Sequence, residues 1–176
     1  VRRELAVTGG QAAARPDPRL ASLARFDPPG PAAFSSTGAA LDHAIGAPEP
    51  EPFSSEDERE LAAARASLES GRFADAAGLL EDLLARRPHR AGLRLVLAYA
   101  YASEGEYEKA RRQYALAHEQ ELGVDACWGL ANAQLRLGDL AGARRELLEH
   151  VLVRRPDDVN ARNLLSRIGI AEAPTP

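Results

Sequence analysis

The chain has 176 residues, of which 45% are hydrophobic and 27% charged, the balance of one ordinary globular domain with length to spare. Only 5% are aromatic, so a core has to be built from Ala and Leu, which suits close-packed helices and disfavours a β-sandwich. A formal charge of −4 argues against a phosphate-binding surface, and so against nucleic acid as a partner; no apolar run reaches the roughly 18 residues that a membrane span requires.

At the start, Arg2 and Arg3 are followed by no apolar stretch, because Gly9, Gly10, Gln11 and Arg15 interrupt it. As written the sequence carries no export signal and reads as cytoplasmic, export requiring a signal ahead of Val1. Residues 1–55 read as an extended or disordered arm. Eight of the twelve prolines fall before residue 53, and each removes a backbone donor and restricts its predecessor. Two apolar islands interrupt the arm. Leu20, Leu23 and Phe26 are spaced for two helical turns, and Thr37 is placed to cap a short helix through Leu41 and Ile45. Helices this short form only by docking, so these five apolar residues are the arm's expected contacts to a partner or to the rest of the chain; otherwise the arm is a plain tether.

Dense helical sequence begins at Ser54, where Ser55 and Glu58 have the spacing of a capping box. Three segments then align. Gly71, Gly105 and Gly138 are 34 and 33 residues apart, and each is followed two residues later by Phe73, Tyr107 or Leu140. Alanines 76, 110 and 143 come next, then Leu80, Tyr114 and Leu147 four residues on, while Ala64, Ala98 and Ala131 lie seven before the glycines. The glycines permit a left-handed residue between two helices, and the alanines let the helices approach. Such a helix pair cannot bury its apolar face alone, so copies must stack. The copies differ in one respect: Gly71 to Pro88 is 17 residues but Gly138 to Pro156 is 18. The extra residue turns the last long helix by about 100° and is expected to bring Val151, in place of His150, toward the core.

This 34-residue order of glycine, aromatic, alanine and terminal proline resembles the tetratricopeptide repeat. The resemblance implies an all-α solenoid of three helix pairs at about 57–90, 91–123 and 124–157, within a domain spanning 56–169. A capping helix at 158–168 and a tail at 170–176 complete it. Val159, Leu164 and Leu165 are expected to cover the end of the stack. In this family the first helix of each pair lines a concave groove that takes a peptide or helix. Carried over by position, the groove residues are Leu61, Arg65 and Leu68, then Leu95, Tyr99 and Ala102. Trp128, Asn132 and Leu135 follow, with Arg162 and Ser166 on the capping helix. Trp128 is the expected aromatic anchor, its alternative being simple packing between helices. Leucines and Trp128 stand where a chaperone-type carboxylate clamp would need cations, so an apolar peptide or amphipathic helix is the expected ligand.

No catalytic constellation emerges. Cys127 is the only cysteine, so an intrachain disulfide and a thiolate cluster are ruled out, and it reads as a small buried hydrophobe. His43, His89, His118 and His150 form no i,i+4 pair with one another or with Cys127, so neither a metal nor a cofactor is expected. Glu81-Asp82 reads as solvated charge. Lys109 is the only lysine, an arginine bias typical of a GC-rich, bacterial genome. The expected role is a non-catalytic adaptor, the groove holding one protein and the arm contacting a second. The alternatives are a structural accessory subunit of a large, membrane-associated assembly and a homo-oligomer in which the arm fills a neighbour's groove.

Overall fold

The computed structural model describes residues 52–119 and 123–172, and every regular element among them is a helix. The chain zigzags through α1 (Ser55–Glu69), α2 (Phe73–Arg86), α3 (Ala91–Glu104), α4 (Tyr107–Glu119) and α5 (Gly123–Arg136). Helix α6 begins at Leu140–Glu146, passes through a π-helical turn, Leu147–Val151, and ends in a last turn, Leu152–Arg154; α7 is Val159–Glu172. Each helix packs against the next in sequence, and α3 also touches α5, as in a stack of helix pairs.

The glycines act as their spacing predicts. Gly71, Gly105 and Gly138 have φ of 72°, 84° and 84°. After each, the next backbone N–H donates five residues back: Arg72 to Ser67 (2.8 Å), Glu106 to Tyr101 (2.9 Å) and Asp139 to Gln134 (2.9 Å). This closes off the carbonyls at a helix end and turns the chain into the second helix of the pair.

The capping box lies one residue earlier than expected. Ser54, not Ser55, caps α1: its Oγ accepts from the Asp57 N–H at 3.1 Å while Asp57 Oδ2 accepts from the Ser54 N–H at 3.1 Å. Asp is short enough to close this reciprocal pair three residues on, which the Glu/Gln rule behind the sequence reading overlooks. Asp57 is nearly buried and also receives Arg87, whose Nη2 is 2.9 Å from Oδ2. The Ser54 N–H, then the Arg87 side chain, hold the Asp57 carboxyl at about 2, below its ordinary 3.8. A depressed native pKa gives stability that is complete above the unfolded value and is lost as pH falls through the native one. Asp57→Asn is therefore expected to be less stable than wild type at neutral pH. The gap in urea midpoint should narrow below about pH 4 and close near pH 2; a gap independent of pH would contradict this.

Two apolar clusters fill the stack. The first joins α1–α4 with one face of α5 and includes Leu80, Leu83, Leu93, Leu97 and Tyr114. The second joins the other face of α5 with α6 and α7, through Trp128, Leu147, Val151, Leu164 and Ile168. The extra residue of the third repeat is absorbed by the π turn, in which the N–H of Leu152 donates to Leu147 five residues back. Val151 is thereby fully buried, whereas His150 remains partly exposed. The capping helix differs from expectation at its start. Val159 is 64% exposed, whereas Leu164 is buried and Leu165 packs against the second cluster as expected, joined by the buried Ala161 and Ile168.

Candidate functional site

The face formed by α1, α3, α5 and α7 carries the residues predicted to line a groove. Leu61 and Leu68 are half-buried and Arg65 is exposed on α1; Ala102 and Asn132 are half-buried on α3 and α5. Arg162 and Ser166 are exposed on α7. Leu95, Tyr99, Trp128 and Leu135 are instead buried, none more than 9% exposed. For Trp128 the packing alternative describes what is seen: it belongs to the second cluster, and its indole N–H donates to Asp158 Oδ2 at 3.2 Å. Asp158 Oδ1 meanwhile accepts from the Ala161 N–H at 3.0 Å, so one carboxylate caps α7 and fixes the tryptophan. Tyr99 meets Phe73 edge-on at 6.3 Å between ring centroids, bridging the first two repeats.

Asn132 donates from Nδ2 back to the Trp128 carbonyl at 3.0 Å. Arg162 is held at the α6–α7 turn by the Pro156 carbonyl, at 2.6 Å from Nη2. What this face presents is therefore leucine at its α1 end and polar groups at its α7 end. The arm residues Leu20, Leu23, Phe26, Leu41 and Ile45 lie outside the described residues. Phe53, at the edge of what is described, sits under the Arg90 guanidinium at 4.2 Å and packs against the first cluster. Sequence reasoning passed over Phe53 because it stands before the first helical period.

Glu81 and Asp82 are exposed, and the Glu81 carboxylate in addition accepts from the buried Tyr101 hydroxyl. Cys127 is fully buried, as a small hydrophobe would be. Burial pushes its thiol above the ordinary range, with Arg154 acting in the opposite sense, which is unsuited to a nucleophile. No described helix is long and apolar enough to cross a membrane.

Glycine-hinged antiparallel pairs, stacked in register and closed by a final helix, define a helical-repeat solenoid. Residues 67–121 match the tetratricopeptide repeat family. Its fold is similar to that of the type III secretion translocator chaperone SycD from Yersinia enterocolitica, with TM-score 0.62 and 19% identity over 70% of this chain and 99% of that one. A second SycD structure, in complex with a peptide of the translocator YopD, matches at TM-score 0.62 and 18% identity over 70% and 99% of the two chains. The Sgt2 tetratricopeptide domain of Aspergillus fumigatus matches at TM-score 0.60 and 19% identity over 73% and 92%. No curated protein sequence matches the chain.

Proposed function

We infer that this chain is a non-catalytic protein-interaction adaptor whose concave face holds an apolar peptide or amphipathic helix of another protein. The observation that carries this is the pair of half-buried leucines, Leu61 and Leu68, on α1, with Arg65 exposed between them in sequence. Two leucines seven residues apart, and so on one face of α1, with polar side chains at the other predicted positions, suit a ligand with apolar anchors and a polar edge. The structural likeness to SycD, which was crystallised with a YopD peptide, supports the same mode of use. The aromatic residues Tyr99 and Trp128 contribute from beneath this surface, by holding the first helices in place. The N-terminal arm is then the element that contacts a second partner.

The test is affinity purification of the full chain from its native host, followed by exchange binding with the recovered partner. Leu61→Asp and Leu68→Asp, at half-buried positions, are expected to weaken binding about tenfold or more. Val153→Asp, on the outer helix α6 and already 69% exposed, should leave it unchanged. Equal retention by all three variants would remove the concave face as the site. Co-purification at fixed stoichiometry that resists salt and never exchanges would favour the accessory-subunit alternative.

A further inference from the structure

Where the second and third repeats meet, four side chains that are far from any sequence motif converge. Cys127 Sγ of α5 lies 3.2 Å from His118 Nδ1 of α4. The His118 ring meets the His150 ring of the π turn at 4.5 Å between centroids. Glu146, one turn before His150, places Oε2 3.9 Å from His150 Nε2. One donor atom from each of His118, Glu146 and His150 lies within 4.8 Å of the others.

Two features of this cluster are unexplained by packing. Glu146 Oε2 is sealed from solvent without a hydrogen-bond donor, a costly arrangement for a carboxylate. The π turn adds a second point. At the position twelve residues past the repeat glycine the first two repeats bury Leu83 and Ala117, but the third has His150. The inserted residue lets Val151 fill the core while His150 stands at its edge, one turn from Glu146 and against His118. Extra residues accommodated as π turns occur often at functional sites.

The geometry points to a zinc-type divalent cation bound by His118, Cys127, Glu146 and His150, clasping α4, α5 and α6 together. Two imidazoles, a thiolate and a carboxylate form a borderline-soft set of four, the number and type that tetrahedral zinc prefers. One thiolate and one carboxylate neutralise a divalent ion, which suits a half-buried site. Donors around tetrahedral zinc stand about 3.4 Å apart, so His118, Glu146 and His150, whose donor atoms lie within 4.8 Å of one another, have to draw together, and Cys127 Sγ, beside His118, has to turn toward the other two. Binding displaces the Cys127 proton to solvent and takes both imidazoles neutral. Arg154, whose Nη1 is 3.7 Å from Cys127 Sγ, is the neighbour that has to yield or to remain as an outer partner of the thiolate.

Titration of the untagged, reduced full chain with Co2+, then displacement by Zn2+, tests this. The expected result is one equivalent bound, with a thiolate-to-cobalt charge-transfer band and the intense visible absorption of tetrahedral cobalt. Zinc at about a hundredfold above its Kd should raise Tm by roughly 5–10 °C. Cys127→Ser should abolish the charge-transfer band. His150→Gln and Glu146→Gln, which leave the fully buried core untouched, should each weaken binding at least tenfold, while His89→Ala should change nothing. Absence of stoichiometric binding by the folded wild-type chain would overturn the assignment. So would binding that keeps the same affinity and spectrum in His150→Gln and Glu146→Gln.

Discussion

A chain ending at Pro156 is expected to lose about 4–6 kcal/mol of stability relative to the full chain, and to self-associate. The deleted helix α7 contributes Ala161, Leu164 and Ile168, all 1% exposed or less, to the second apolar cluster. Burying a Leu or Ile side chain stabilises by about 1.5–3 kcal/mol, and the loss also exposes the faces of Leu147 and Val151 that α7 covers. The Trp128 indole loses Asp158 as acceptor at the same time. A solenoid needs a polar outer face on its last helix, and α7 supplies it. Urea midpoints and light scattering on the two chains would check this; a truncated chain that stays monomeric and unfolds at the full-length midpoint would refute it.

Gly129→Ala is expected to destabilise the chain by about 2 kcal/mol, although alanine is the better helix former by about 1. A Cβ at position 129 would fall within the ring of Tyr114, against Cε1, Cζ and Cδ1. The ring is 1% exposed in the first cluster, so it has no room to swing aside. The interface before this one shows the compensation: by the 34- and 33-residue offsets its equivalent pair is Leu80 and Val96. Volume moved from the first helix of one repeat to the second helix of its neighbour. Tyr114→Leu should therefore rescue Gly129→Ala, with a coupling of about 1–2 kcal/mol in a double-mutant cycle. Additive effects of the two changes would mean that the contact carries no such constraint.

Much of this architecture is legible from residue spacing. Gly71, Gly105 and Gly138 mark turns because a left-handed residue is needed there, and the interval between them sets the unit. Even the irregular third repeat shows itself as one residue too many between Gly138 and Pro156, and the buried residue is Val151. What spacing does not reveal is how the extra residue is housed. A uniform 100° turn would displace everything downstream, whereas a π turn confines the change to Leu147–Val151. The candidate site was less legible. Positional transfer places Trp128 on the concave face, but whether an indole faces solvent there depends on Asp158, 30 residues away. His118, Cys127 and His150 sit on three helices, so no local motif announces them, although repeat register would have brought His118 and His150 to neighbouring helices.

Helix α5 belongs to both apolar clusters: Ala126, Leu130 and Ala133 face the first, Val124, Cys127, Trp128, Ala131 and Leu135 the second. The stack is in this sense two blocks mounted on one axle. Nine of the fourteen residues of that axle are buried, and Gly123, Ala126, Gly129, Ala131 and Ala133 keep its profile thin. The way the blocks sit on one another depends largely on side chains of this one helix. A change of side chain on α5 is therefore felt by both blocks at once.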